Sequence, residues 1–119
     1  MRIGTLEREC RVIMAPMAGI TNLPFRLLIR EFGCDLAFTE MVSAMGLVRG
    51  TVKSYRYLDT APEDRPLGVQ LFGADPDVMA EAARIVAADG AALIDINMGC
   101  PVKKVGRTGS GAALMKEPG

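Results

Sequence analysis

The chain of 119 residues is 50% hydrophobic and 24% charged, enough apolar surface for one folded domain and too much for a disordered one. Lys plus Arg equals Asp plus Glu at 14 each, so a strongly basic nucleic-acid coat is excluded and a local basic patch is not. There is no histidine, which removes a His general base, a Ser-His-Asp triad and a His-ligated metal. The three cysteines at 10, 34 and 100 are too scattered for a disulfide framework or a zinc site and suggest a reducing compartment.

The first expected element is a short apolar strand at 12–15, stopped by Pro16. A helix follows from Leu23, capped by Thr21 or Asn22, with Pro24 in its first turn, apolar positions at 25, 28, 29 and 32, and Gly33 as its stop. A second strand is expected at 36–39, ending at Glu40, then a short helix over 43–48 and a polar, Pro-containing loop over 59–66. Residues 67–72 read as a third strand. Asp75-Pro76 reads as an N-cap and first helical position for a helix over 77–88 that ends at Gly90. A fourth strand is expected at 92–96, ending at Asn97, and the start of another helix at 109–114.

Strands alternating with helices imply a parallel sheet. The strand ends, at 16, 40, 70 and 97, lie 24 to 30 residues apart, and a (β/α)8 TIM barrel of roughly 250 residues uses about 30 per unit. Four βα units, half a barrel, fit the chain. An open doubly wound sheet is the second choice, but Pro16-Met17-Ala18-Gly19 is no glycine-rich phosphate turn. The sequence stops barely one turn into its last expected helix, as an N-terminal fragment would.

Ligands gather at the C-terminal ends of parallel strands. That places Pro16, Met17 and Ala18, Glu40, Gln70 and the loop from Asn97 to Cys100 on one face. Cys100, between Gly99 and Pro101, is either a functional thiol or a small buried hydrophobe. Cys10 and Cys34 fall at the opposite end, where packing is the expected role. Gln70, an amide in an apolar strand, needs hydrogen bonds, either to a flavin or nucleobase edge or to a neighbouring strand. Asn97 has the same two readings. Glu40 either positions a ligand or pairs with a local cation, and Asp95 shares the orientation of Asn97. Lys103, Lys104 and Arg107 form the one dense basic cluster, suited to phosphates or simply solvated. Arg107-Thr108-Gly109-Ser110-Gly111 reads as a phosphate-binding turn or as a plain loop.

The motifs Ala15-Pro16-Met17-Ala18-Gly19-Ile20-Thr21, Thr39-Glu40-Met41, Val69-Gln70-Leu71 and above all Asp95-Ile96-Asn97-Met98-Gly99-Cys100-Pro101-Val102-Lys103-Lys104-Val105 resemble the bacterial tRNA-dihydrouridine synthases (Dus family, B-type), and the resemblance runs over essentially the whole chain. It implies that residues 1–119 are the N-terminal part of a flavin-binding barrel, with the rest of the barrel and a C-terminal helical tRNA-binding domain lying outside them. It implies reduction of the C5–C6 bond of selected tRNA uridines to 5,6-dihydrouridine, with FMN as cofactor and NADPH as reductant. Cys100 would be the general acid that protonates C5. Pro16, Met17, Ala18 and Gln70 would contact FMN. Asn97, Lys103, Lys104 and Arg107 would lie on the substrate side. The implied partner is tRNA, with neither metal nor membrane, in the cytoplasm. No apolar run is long enough for a transmembrane span or signal peptide. Three alternatives stand beside this reading: another FMN barrel acting on a small molecule, an inactive truncated product, and a non-enzymatic RNA-binding module. Zero net charge and few aromatics argue against the last.

Overall fold

A computed structural model of the chain describes residues 1–9 and 12–116. Cys10, expected to pack at the far end of the sheet, lies outside the described residues. The sequence order is a hairpin of β1 (Arg2–Ile3) and β2 (Leu6–Glu7), then α1 (Leu23–Glu31), β3 (Ala37–Ser43), α2 (Ala44–Val48) and α3 (Val52–Arg56). A 3-10 turn at Pro62–Asp64 leads to β4 (Leu67–Phe72), α4 (Pro76–Ala88), β5 (Leu93–Ile96), α5 (Lys103–Gly106) and a second 3-10 segment at Gly111–Lys116. Among the described residues, no helix is long and apolar enough to cross a membrane.

β3, β4 and β5 form a parallel sheet in that order, the α/β arrangement expected from the alternation of elements. Side chains alternate along each strand. Val42, Val69 and Leu71 therefore face the helices, where they form the core with Ala44 and Leu47 of α2 and Ala82 and Val86 of α4. Gly68 and Gln70 project to the other face. The ring of Phe38 lies over Gly68, where a Cβ would come within 2.4 Å of it. α4 starts where its cap chemistry predicts: Asp75 Oδ1 accepts from the Val78 N–H at 3.0 Å, and Pro76 needs no donor of its own. α2 is capped in the same way by Ser43, whose Oγ accepts from the Gly46 N–H at 3.1 Å.

Four expectations are corrected. The strand expected at 12–15 is reduced to one parallel bridge, Met14 to Ala37, with the Met14 N–H donating to Leu36 O at 3.0 Å. Pairing on one side only leaves Val12 78% exposed. The sheet described here therefore has three strands and one bridged residue where four strands were expected. In α1 the apolar stripe is not the buried face: Leu28 is 50% and Phe32 83% exposed, while Arg26 on another face is 1% exposed. Phe25 and Ile29 of the stripe are half-buried, and Arg26 is held inside by the buried Asp64 carboxylate. β3 continues past Glu40 to Ser43, because a bulge lets the strand run on. The helix expected at 109–114 is a 3-10 segment, held to the Cys100 loop by its own backbone. The N-terminal hairpin, α3, α5 and the 3-10 turn at Pro62–Asp64 are additions the sequence reading did not contain.

Candidate active site

The site lies at the C-terminal ends of the parallel strands and starts from the bulge in β3. Phe38 pairs with Gly68 but Met41 pairs with Gln70, so Thr39 and Glu40 oppose a single residue of β4. A bulge of this kind re-aims a side chain. Here the Glu40 carboxylate accepts a hydrogen bond from the Gly19 N–H, reaching across to the turn that follows Met14. Glu40 thus pairs with a backbone amide and, among the described residues, with no cation. Thr21, fully buried, closes the same turn from within. Its Oγ1 accepts from the Met17 N–H at 3.0 Å and lies 3.1 Å from Met17 O, which also accepts from the Ile20 and Thr21 N–H groups. Pro16 and Met17 are half-buried and Ala18 exposed on a turn held from both sides.

From Glu40 the hydrogen bonds continue across the sheet. Thr39 Oγ1 donates to Glu40 O at 2.8 Å and accepts from the Gln70 N–H at 3.3 Å. The buried Gln70 side chain donates from Nε2 to Asp95 Oδ2 at 2.5 Å, and its Oε1 accepts from Asn97 Nδ2 at 2.9 Å. Asn97 Oδ1 in turn accepts from the Cys100 N–H at 3.0 Å and the Gly99 N–H at 3.3 Å. The structure therefore brings the 16–18 turn, Glu40, Gln70, Asp95, Asn97 and Cys100 into one connected array. Gln70 bonds to the neighbouring strand, yet an amide can make four hydrogen bonds. One Nε2 hydrogen and one Oε1 lone pair are left beyond these two bonds.

Cys100 is half-buried, and its loop is closed from behind. The Ala112 N–H donates to Cys100 O at 3.1 Å, and Gly111 packs against the same carbonyl. The 109–111 segment thus packs against the Cys100 loop. The Gly109 and Ala112 N–H groups are committed to Gly106 O and Cys100 O, and Thr108 Oγ1 and Ser110 Oγ lie 2.9 Å apart. Lys103, Lys104 and Arg107 are exposed on and just after α5, outside the hydrogen-bonded array. Cys34 lies before β3, at the opposite end, with Sγ donating to Leu36 O at 3.3 Å.

The sequence reading missed the residues that hold the array in place. Thr39 and Thr21 are fully buried: Thr39 Oγ1 accepts from the Gln70 N–H of β4, while the Thr21 hydroxyl stays within its own turn and its carbonyl accepts from Arg26 of α1. Arg26 and Arg30, one helical turn apart, both turn toward Asp64, which has no exposed surface. The only available signal was that i, i+4 spacing of two arginines beside an apolar stripe.

A parallel α/β sheet with convergent polar groups at the strand C-termini and a half-buried thiol in the last loop defines an enzyme-like ligand site. The family model for dihydrouridine synthase (Dus) matches residues 13–119, and the chain belongs to that family. It is 48% identical over 117 residues to tRNA-dihydrouridine synthase B of Xanthomonas axonopodis pv. citri (strain 306), covering 98% of this chain and 35% of that protein. It is 48% identical over 118 residues to tRNA-dihydrouridine synthase B of Pasteurella multocida (strain Pm70), covering 99% and 36%. It is 52% identical over 108 residues to a probable tRNA-dihydrouridine synthase of Rhizobium leguminosarum bv. phaseoli, covering 91% and 34%. The chain spans about a third of the length of the curated relatives it matches.

Proposed function

We propose that the chain supplies the N-terminal part of a (β/α)8 barrel that binds FMN and reduces uridines of tRNA to 5,6-dihydrouridine. The observation that carries this reading is the array itself: Cys100 is tied through Asn97 to Gln70, and through Thr39 and Glu40 to the turn at Pro16, Met17 and Ala18. The residues present fit a flavin. The remaining donor and acceptor of Gln70 match the mixed polar edge of an isoalloxazine, and the small residues Ala15, Ala18 and Gly19 leave room for a flat ring to approach.

Pro16, Met17, Ala18 and Gln70 would hold FMN, which when bound and reduced by NADPH would supply hydride chemistry at C6 of the uracil. Negative charge then develops at C5 and its adjoining carbonyl, and the Cys100 thiol delivers a proton to C5. Asn97 holds the Cys100 backbone and orients the loop toward the substrate. Lys103, Lys104 and Arg107 meet RNA phosphates, which directs their charge away from the sulfur. Pro16, Met17 and Ala18 support the flavin on its turn.

The test separates the two half-reactions by stopped-flow flavin absorbance on the full-length protein. Cys100→Ala is expected to keep flavin and its reduction by NADPH. Oxidation of the reduced flavin by tRNA is expected to slow by roughly 10²–10⁴-fold, the usual share of a general acid. Oxidation at the parent rate would remove Cys100 from this role. Loss of the NADPH step or of flavin would make the thiol a cofactor-site residue instead.

A further inference from the structure

The most unusual cluster outside the array is the buried pair of Arg26 and Asp64, 1% and 0% exposed. Arg26 Nε donates to Asp64 Oδ2 at 2.9 Å, with Nη2 2.8 Å from the same oxygen. The remaining donors leave the pair: Nη1 donates to Thr21 O at 2.7 Å and Nη2 to Asp59 O at 2.8 Å. On the far side, Arg30 Nη2 lies 3.6 Å from Asp64 Oδ1 and donates to Asp64 O and Pro66 O. Arg30 Nη1 donates to the carbonyls of Cys34 and Asp35. The arrangement is incompletely satisfied, since Asp64 Oδ1 and Arg30 Nε have no hydrogen-bond partner among the described residues.

Burying charge in this way is a poor route to stability, because apolar residues of similar volume do as well or better. What the pair does is geometric. Asp64 holds the planar Arg26 fork, the fork holds the Thr21 carbonyl, and Thr21 Oγ1 closes the turn on Met17. The turn at 16–21 and the α1 helix that follows it are thereby set against the distant loop at 59–66. We propose that Arg26, oriented by Asp64, is a positioning residue for the turn at Pro16, Met17 and Ala18. It sets the shape of that turn before cofactor binds. The cofactor part of this inference rests on the flavin reading above; the part concerning the turn does not.

The critical variant is Arg26→Lys in the full-length protein. A lysine keeps the charge opposite Asp64 but has no planar fork to reach Thr21 O at the same time. Amide hydrogen exchange on flavin-free protein is the first readout. The N–H groups of Gly19, Ile20 and Thr21 are expected to exchange about tenfold faster relative to the amides of β4, which report general stability. The second readout is titration with FMN, whose dissociation constant is expected to rise about tenfold, the worth of one lost hydrogen bond. Arg30→Met serves as the control: it breaks the other side of the cluster, lowers stability and leaves the exchange ratio at the parent value. If Arg26→Lys speeds turn and β4 amides equally, or Arg30→Met changes the ratio as much, the pair is structural and the proposal is overturned. If the ratio changes as expected but the parent protein binds no FMN, the flavin reading fails and the positioning of the turn stands.

Discussion

A Cβ placed on Gly111 would sit 2.7 Å from the Cys100 carbonyl oxygen and 3.2 Å from Cys100 Cβ, at a φ of +64° that L side chains rarely adopt. Gly111→Ala is therefore expected to cost roughly 1–3 kcal/mol through backbone strain alone. It should also push Cys100 out of place, so tRNA-dependent flavin oxidation should fall more than flavin affinity does. Equal losses in the two, measured by stopped-flow and by flavin titration, would show that the turn does not position the thiol. Gln70 presents a different case. Its side chain bonds both Asp95 and Asn97, so Gln70→Ala leaves two polar groups unpaired without any ligand being involved. We expect a loss of about 1–3 kcal/mol in urea unfolding of the flavin-free protein. Unchanged stability would mean that water replaces both bonds. The alternation that marks Gln70 as a polar residue in an apolar strand is visible in the sequence. Its partners, 25 and 27 residues away, are not.

Among the elements, α4 was the most legible because its determinants are local. An Asp-Pro start, a helical run of small and apolar residues and a glycine stop are all contained within the segment itself. Asp75→Ala removes the acceptor for the Val78 N–H and is expected to lower stability by about 0.5–2 kcal/mol with flavin affinity unchanged. A denaturant midpoint equal to the parent would show that the cap is redundant. α1 was read less well. Its boundaries and its Asn22 cap follow local rules, and Asn22 Oδ1 does accept from the Phe25 N–H at 3.1 Å. Its orientation depends on Asp64, 38 residues downstream of Arg26. A stripe of apolar residues predicts a buried face only when nothing stronger competes, and a buried ion pair competes here. The bulge in β3 is similar: which residue is the extra one depends on the register with β4, not on β3 alone.

At the scale of the molecule, β5 is the last strand of the described sheet, pairing with β4 on one side, and its Ile96 is 54% exposed. Ile94 and Ile96 alternate with Leu93 and Asp95, so two isoleucines project from the helix-facing side of that strand, as Val69 and Leu71 do from β4. Open edges with apolar side chains template association. The 119-residue chain on its own is expected to self-associate, and Ile94→Lys with Ile96→Lys should shift it toward monomer. Sedimentation velocity across a concentration series measures this; a monomeric parent chain with a sharp, cooperative melt would contradict the incomplete-barrel reading.

The sequence by itself determined the α/β alternation, the starts and stops of α1 and α4, and the set of residues gathered at the strand C-termini. Each depends on neighbours a few positions apart or on the general rule that parallel strands point their C-terminal ends the same way. Only the tertiary structure decided that Glu40 holds a backbone amide, that Gln70 links to Asp95 and Asn97, and that Arg26 is buried against Asp64. These are contacts between segments 21 to 38 residues apart. The free energy of such a bond depends on how far both groups are removed from water, and burial is a property of the assembled fold rather than of either segment.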